Sequence, residues 1–507
     1  MSFGPPPSPY TQSVLAADTD RRQRRTRLIG AVAAVLVVVL CAGGWLLMYK
    51  TGDKTPASGK ETAAPQAPDE IRETVEKLPS TPEGELAAGW MVEHLEKTTD
   101  VNPRYTPGTW ATGKIFAKGI ADEIVGFKVD RYGGDKAWTL KLGGHICATT
   151  KHVTADGRTA VVVQPPKPKG SPTEGVCDEV VFFDIDTGKK LWQSKMPEAA
   201  SAFVTNTNLT MTRGTVAVAW DQGSVAYDMK DGKQLWKSTG VSQCEDHGFA
   251  GGRALLALVR CGSMPDVTYE VQKLNPRTGK AKWTYKVGKG ITTVYLPSSD
   301  PPVLAVGAGD TTVTDLITLD ADGKHSATIS LHGESYDPMC GVRYSGTSRF
   351  GVVENCDAMV VGRTEIFVAS KVGSESGQEA NWIMGFDVAT GKTLRKFNGR
   401  EDQPIYPLRT SGDQLLVYRA TRDDIGPSAV ISLDPRTGKE TPFLLFRLPD
   451  DSSSDRQFGD PDKSDIIVEQ GRVYFAKREL VADFKYPEDP VRAFLGIASS
   501  ATMRSAK

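Results

Sequence analysis

A short hairpin pattern that recurs along most of the chain is the feature that most constrains its fold. The reference copy, residues 183–192, has two strand-forming stretches joined by the turn Asp-Ile-Asp-Thr-Gly-Lys, and it ends in a tryptophan. An aspartate in such a turn accepts hydrogen bonds from turn amides, and the glycine supplies the positive φ of a bulged hairpin. One hairpin cannot bury its own apolar faces, so the pattern predicts a fold in which many hairpins stack.

The pattern has six further copies, and their turns are regularly spaced. The clearest copies begin at residues 227, 274, 386 and 433, while those at 319 and 129 are shortened or degenerate. Most intervals between turn glycines are 44 or 47 residues, the length of one four-stranded propeller blade; these glycines lie at positions 134, 188, 232, 279, 323, 391 and 438. The motif residues to which we assign a structural role are Asp184, Gly188, Trp192, Asp228, Gly232, Trp236, Gly279, Trp283, Asp387, Gly391, Asp434 and Gly438.

The repeated turn also carries a family resemblance. It resembles the pyrroloquinoline-quinone-like (PQQ-like) β-propeller repeat, whose pattern is an aspartate, then Thr-Gly-Lys, then a tryptophan. The resemblance covers residues 101–507 and implies an all-β propeller of four-stranded blades. Propellers of this family usually have eight blades, and residues 465–469, 472–478 and 480–486 predict strands of an eighth blade without the Thr-Gly-Lys turn. We therefore expect eight blades, with seven as the alternative.

The seven cysteines divide into one isolated residue and three local pairs. Cys41 lies in an apolar run, whereas each of the others has a partner between the same two turn motifs: Cys147 with Cys177, Cys244 with Cys261, and Cys340 with Cys356. No Cys-x-x-Cys motif occurs, so neither a zinc cluster nor a redox dithiol is indicated. We expect three disulfides in an oxidising compartment, each within one blade; the alternative is buried free thiols.

The N-terminal region predicts a membrane anchor. Residues 1–27 begin with a stretch rich in Pro, Ser and Gly and end with five arginines, so we expect a disordered cytosolic tail. Residues 28–49 carry no charge, and a helix of that length spans roughly 30 Å, the thickness of the hydrocarbon core. The arginines before this span favour a cytoplasmic N-terminus and an extracytoplasmic propeller. A cleaved signal peptide, or lipidation at Cys41, is the alternative.

A stalk is predicted between this transmembrane helix and the propeller. Residues 50–68 have the composition of a flexible linker. Residues 69–78 and 85–97 have helical patterning, and in the second stretch the apolar residues recur at spacings of three and four. We expect residues 50–100 to form a stalk with two short helices, the second packed on the propeller flank or binding a partner.

Nothing in the sequence carries a catalytic signature. The six histidines form no His-x-His or His-Glu-x-x-His pair, and neither a Gly-x-Ser-x-Gly elbow nor a phosphate-binding glycine loop occurs. The quinone dehydrogenases of the resembling family use a disulfide between adjacent cysteines and a calcium ion, and this chain has no Cys-Cys dipeptide. We therefore predict no catalytic, cofactor-binding or metal-binding residues. The triplet at residues 208–210 fits a glycosylation sequon, a pattern that is common by chance.

These features predict a binding function. The formal net charge of −1 provides no field that would favour nucleic acid. We expect a single-pass protein of the cell membrane whose propeller is a scaffold or ligand-binding module for an envelope protein or a glycan, without enzyme activity. The alternative is a small-molecule sensor, or a quinone- or metal-dependent enzyme, with a site in the propeller channel.

Overall fold

Eight four-stranded antiparallel sheets form the fold, and each is one blade of a propeller. The structure is a computed structural model. It describes residues 66–501 except for 94, 96–97, 100–102, 130–133, 167–174, 240–242, 264–265, 310–311, 334, 342–352, 374–378, 422–425 and 450–454. The expectation of eight blades, rather than seven, is confirmed, and so is the all-β class.

Seven blades use four consecutive strands each. The first two strands of the described residues, β1 (Gly84–Val92) and β2 (Arg104–Tyr105), pair elsewhere. The strands of blades 1 to 4 are β3 (Thr109–Ala111), β4 (Ile115–Ile120), β5 (Glu123–Lys128), β6 (Lys136–Lys141), β7 (His145–Thr149), β8 (Arg158–Gln164), β9 (Glu179–Asp184), β10 (Lys190–Lys195), β11 (Asn208–Thr212), β12 (Thr215–Trp220), β13 (Gly223–Asp228), β14 (Gln234–Thr239), β15 (Cys244–Ala250), β16 (Leu255–Cys261), β17 (Thr268–Leu274) and β18 (Ala281–Lys286).

Blades 5 to 7 continue in the same way, and the first strand of each blade faces the central channel. Their strands are β19 (Ile291–Ser299), β20 (Pro302–Ala308), β21 (Asp315–Leu319), β22 (His325–Ser330), β23 (Met359–Val361), β24 (Glu365–Ala369), β25 (Trp382–Asp387), β26 (Thr393–Asn398), β27 (Ile405–Ser411), β28 (Gln414–Arg419), β29 (Ser428–Leu433) and β30 (Glu440–Phe446).

Blade 8 joins the two ends of the propeller. It follows a 3₁₀ helix, Asp455–Gly459, and its three inner strands are β31 (Ser464–Glu469), β32 (Arg472–Lys477) and β34 (Val491–Ser499). Its outermost strand is β1, which runs antiparallel to β34 from Gly84 opposite Ser499 to Val92 opposite Val491. A short strand that lies between β32 and β34 in the sequence, β33 (Glu479–Leu480), pairs with β2. The ring is therefore closed by hydrogen bonds between strands from opposite ends of the described chain.

Two predictions about this region are wrong. Residues 85–97 are not a helix, because residues 84–92 form β1. Two register shifts, between Leu86 and Ala88 and between Trp90 and Met91, break the alternation of a regular strand and leave a spacing that imitates a helix. The third strand of blade 8 is β34 rather than residues 480–486.

The predicted helix at residues 69–78 is also absent, and that stretch is extended after one turn. The propeller thus begins at Gly84 rather than at residue 101, and the expected stalk is shortened accordingly. No helix in the described ranges is long and apolar enough to cross a membrane. The predicted transmembrane helix at residues 28–49 and the predicted tail at 1–27 lie outside those ranges.

The apolar core lies between the blades. Each of the eight interfaces between neighbouring blades contains one cluster of buried apolar residues, including the interface between blades 8 and 1. At that closing interface, Phe116 of blade 1 stacks on Tyr474 and Phe494 of blade 8. Because every interface is filled, the burial of apolar surface stabilises the ring as a whole.

The repeated motif links neighbouring blades, as its copy in blade 2 shows. Asp184 accepts hydrogen bonds from the amide and hydroxyl groups of Thr187, each at 2.8 Å, and Gly188 has a φ of 67°. Trp192 donates from its indole Nε1 to the carbonyl of Met229, in the turn of the next blade, at 2.9 Å. Its ring lies against Gly232 in that turn, where a Cβ would come within 2.7 Å of it. The tryptophan therefore packs between blades, and the glycine provides space as well as positive φ.

The antiparallel order divides the loops between the two ends of the propeller. We call the end with the turns between first and second strands the strap face, because residues 67–83 cross it. The opposite end is the open face. The motif turns, between third and fourth strands, also lie on the strap face. The open face carries the connections between second and third strands and those between blades.

Candidate functional site

We call the long connection between blades 5 and 6, residues 331–358, the insertion, and its described residues 353–358 lie in the central channel. The insertion begins at the open face, directly after β22. Its Val353 is buried against blades 4 and 5: the carbonyl of Val353 accepts from the amide of Leu296 at 2.6 Å, and its side chain lies against Gly248. This contact places the adjacent residue, Glu354, among the inner strands.

Glu354 lies in a cradle formed by blades 2, 3 and 4. Its carboxylate contacts His152 Nε2 at 3.1 Å and accepts from the Thr210 hydroxyl at 3.1 Å and from the Gly251 amide at 3.0 Å. Lys151 Nζ donates to the Glu354 carbonyl at 2.8 Å. The Glu354 side chain is only 4% exposed, so its charge is satisfied by these groups rather than by water.

The cradle changes the acidity of this carboxyl group. Burial alone raises a carboxyl pKa, but His152, Lys151 and the Gly251 amide favour the charged form and together lower the pKa of Glu354 from 4.5 to about 2. A group with a lower pKa in the folded state stabilises the protein above its unfolded pKa and loses that contribution as the pH falls. Glu354 therefore stabilises the insertion at neutral pH and ceases to do so in strong acid.

We expect Glu354→Gln to reduce stability at pH 7 by about 3 kcal/mol, the free energy that corresponds to this pKa difference. Because a glutamine does not titrate, the variant should also lose less stability than the wild type between about pH 5 and pH 2. Urea unfolding across that range measures both effects. The exposed Glu85→Gln change serves as the matched control, and equal pH slopes for wild type and Glu354→Gln would contradict the assignment.

The far side of the insertion contacts blade 8 near the open face. Asp357 accepts from Arg478 Nη2 at 3.1 Å, and Arg478 Nε donates to Asp465 at 2.8 Å. The carboxylates beside Arg478 outweigh its burial and raise its pKa. Lys118 is fully buried 3.8 Å from Asp465 and donates to Thr109 at 2.8 Å. Since blades 4 and 8 lie on opposite sides of an eight-bladed ring, the insertion spans the channel.

The opposite end of the channel is crossed by residues 67–83, which we call the strap. It enters beside blade 3, where Glu70 lies 3.0 Å from Arg213, and it then contacts blade 2 through the amide of Arg72. Further along, Glu73 pairs with Arg253 of blade 4 and with Arg363 of blade 6. Every one of these partners lies at or beside a turn between a first and a second strand.

The strap ends at blades 7 and 8. Glu76 pairs with Arg409 of blade 7 at 2.5 Å and accepts from the amides of Gln470 and Gly471 in blade 8 at 2.8 and 2.7 Å. Blades 3 and 7 lie on opposite sides of the ring, so the strap passes over the mouth of the channel. The insertion thus reaches into the channel with Glu354 and Asp357, and the strap covers one end of the channel.

The three disulfides are those that the cysteine spacing predicts. Cys147–Cys177 ties strands of blade 2, and Cys244–Cys261 joins residues directly opposite each other in blade 4. The third, Cys340–Cys356, closes the insertion instead of lying within a four-stranded sheet, which corrects the expectation that each disulfide lies within one blade. A crosslink at the neck of the insertion restricts the conformations that its chain can adopt.

The predicted motif residues and the channel residues have different roles. The motif aspartates and glycines lie in exposed turns: Asp387 and Asp434 accept from Thr390 and Thr437 as Asp184 does from Thr187. Sequence reasoning missed Glu354, Asp357 and Arg478. The one signal for them was the long interval between Gly323 and Gly391, because about 20 residues more than one blade needs must form an additional segment outside its four strands. Asn208 and Thr210 are buried inner-strand residues, so the 208–210 sequon is inaccessible.

A quinone cofactor with calcium does not fit the channel residues. Within the described ranges, no group of three or more His, Cys, Asp or Glu side chains is arranged to hold a metal ion. The disulfide nearest the channel joins residues 16 positions apart rather than adjacent cysteines. The carboxylate of Glu354, which is buried in the channel, is already hydrogen-bonded to groups of the protein itself. We therefore assign no cofactor-binding residues.

Comparison with known proteins gives one family match. Residues 87–256 match the family model described as outer membrane protein assembly factor BamB. Together with the eight four-stranded sheets, this match supports a β-propeller of PQQ-like repeats. No curated protein sequence matches the chain.

Several solved structures are similar at low sequence identity. BamB from Moraxella catarrhalis is 11% identical with a TM-score of 0.40, over 77% of this chain and 95% of that one. A europium-containing methanol dehydrogenase is 12% identical with a TM-score of 0.45, over 82% and 93%. The quinohemoprotein alcohol dehydrogenase from Comamonas testosteroni is 12% identical with a TM-score of 0.44, over 82% and 76%.

Proposed function

We propose that this protein is a non-enzymatic scaffold of the cell envelope, anchored in the membrane by residues 28–49, with a propeller that binds a partner protein outside the cytoplasm. The observation that carries this proposal is that residues of the insertion lie in the channel. Small molecules bind propellers most readily in the channel, and here Glu354 and Asp357 occupy it while the strap covers one mouth. The outer surfaces of the blades and their loops are what remains for recognition.

Other features support the proposal. The family model that matches residues 87–256 is described as an outer membrane protein assembly factor. Three disulfides suit an oxidising compartment, as expected for a domain outside the cytoplasm. The uncharged stretch at residues 28–49, preceded by arginines, has the length and flanking charge of a single-pass anchor.

In-cell crosslinking of the full-length protein tests the proposal. A matched strain carries residues 1–66 alone, which keeps the tail and the anchor but removes the strap and every blade. We expect the full-length protein to capture a specific envelope protein that residues 1–66 do not capture. Capture of the same protein by both, or recovery of the full-length protein in the soluble fraction, would contradict the proposal.

A second arm addresses enzyme activity. Native mass spectrometry and metal analysis of the purified full-length protein should give the mass of the chain with three disulfides. Stoichiometric calcium, or the mass of a quinone, would overturn the non-enzymatic assignment in favour of the dehydrogenase alternative.

A further inference from the structure

One loop of blade 8 holds two aromatic side chains in solvent. It connects β33 to β34 on the open face, and we call residues 482–489 the aromatic loop. Phe484 is 100% exposed and Tyr486 is 63% exposed. Contiguous apolar groups exposed on the surface of a domain are a mark of interaction sites.

The aromatic loop is ordered by its own hydrogen bonds. Asp483 accepts from the amides of Lys485 and Tyr486 at 2.8 and 3.2 Å, and the amide of Asp489 donates to the Tyr486 carbonyl at 3.0 Å. At the base, the Ala482 amide donates to a threonine hydroxyl at 2.8 Å. A loop held in this way loses little conformational entropy when its aromatic groups are buried by a partner.

A second exposed apolar pair lies on the same face. Phe203 and Val204 are 38% and 36% exposed in the connection between blades 2 and 3, and Asn206 orders that turn by accepting from the Phe203 amide at 2.8 Å. Among the residues that the structure describes, the open face therefore carries two groups of accessible apolar side chains.

We propose that the aromatic loop is the anchor of a protein-docking surface on the open face, and that the partner presents an apolar pocket rimmed by basic residues. The charge of the loop supports this choice: Asp483, Glu488 and Asp489 outnumber Lys485. The same excess of carboxylates opposes binding to anionic lipid headgroups. Aromatic residues are the commonest energetic centres of protein interfaces. This inference rests on the proposed scaffold function and names its surface.

The test uses full-length protein with a photo-crosslinking amino acid at position 484 or, as the control, at position 394. Leu394 is 50% exposed on the outer strand of blade 6, so it is an exposed apolar residue like Phe484 but lies outside the proposed docking surface. The protein that crosslinks only from position 484 is then purified, and its affinity is measured for the wild type, for Phe484→Ala/Tyr486→Ala and for Leu394→Ala.

We expect the double variant to bind at least about 30-fold more weakly, with unchanged thermal stability, and Leu394→Ala to bind like the wild type. The wild-type affinity should fall as salt is raised, since the proposed rim pairs with carboxylates. Equal affinity of the double variant, or crosslinking of position 484 to lipid alone, would overturn the docking surface. The scaffold function would still stand if in-cell crosslinking of the full-length protein captures a partner. Failure of the full-length protein to capture any protein would overturn both.

Discussion

A chain that begins at residue 93 should not form a stable propeller, whereas a chain that begins at residue 66 should unfold at the same temperature as the full-length protein. The first truncation removes β1, which pairs with β34 along its whole length and buries Ala88 and Val92 against blade 8. Without it, the backbone of β34 becomes an unpaired edge and the ring is no longer closed. The loss is expected to be comparable with the entire stability of a domain, about 5–15 kcal/mol.

A third truncation separates the closing strand from the strap. A chain that begins at residue 84 keeps β1 but lacks the contacts of Glu73 and Glu76, so we expect a folded protein of intermediate stability. All three chains are exported so that the disulfides form, and thermal unfolding with limited proteolysis measures the outcome. Wild-type stability for the chain that begins at residue 93 would show that β1 does not close the ring.

The second large effect is expected for Trp192→Ala, with a loss of about 3–5 kcal/mol, as for buried aromatic residues generally. The Trp192 ring is 9% exposed, lies 5.2 Å from Phe182 between ring centroids, and donates to the carbonyl of Met229 in the next blade. Its removal leaves a cavity between blades 2 and 3 and an unsatisfied carbonyl. Leu191→Ala is the matched control, because that neighbour is 38% exposed and should cost much less.

A mutant cycle tests the contact between blades itself. At Gly232, φ is 70° and a Cβ would come within 2.7 Å of the Trp192 ring, so Gly232→Ala should also destabilise the protein. In the double variant the smaller side chain at 192 relieves the clash, and the combined loss should be less than the sum of the single losses. Additive losses in chemical denaturation would mean that the two residues do not act through this contact.

The features that the sequence predicts correctly are local. Asp184, Thr187 and Gly188 act within one hairpin, and Trp192 acts on the nearest neighbour, so their spacing recurs from blade to blade in most of the ring. The disulfides are predictable for the same reason, since their partners lie within 30 residues of each other. Repeats of this kind encode a blade and, through their number, the ring.

The features that sequence reasoning missed depend on distant partners. The strand β1 pairs with β34 at the other end of the described chain, and register shifts between Leu86 and Ala88 and between Trp90 and Met91 disguise its alternation. The strap has no regular structure, and its charged residues form ion pairs with arginines that lie on several different blades. The long interval before Gly391 announces an insertion, but a length does not indicate that Glu354 enters the channel.

Hydrogen exchange at two backbone amides tests most directly whether the protein fills its own channel. The Gly251 amide donates to Glu354 of the insertion, and the Gly471 amide donates to Glu76 of the strap. We expect both amides to exchange slowly in the wild type, Glu354→Ala to accelerate exchange at Gly251 alone, and Glu76→Ala to accelerate it at Gly471 alone. Fast wild-type exchange at Gly251, or exchange there that Glu354→Ala leaves unchanged, would mean that the insertion does not occupy the channel.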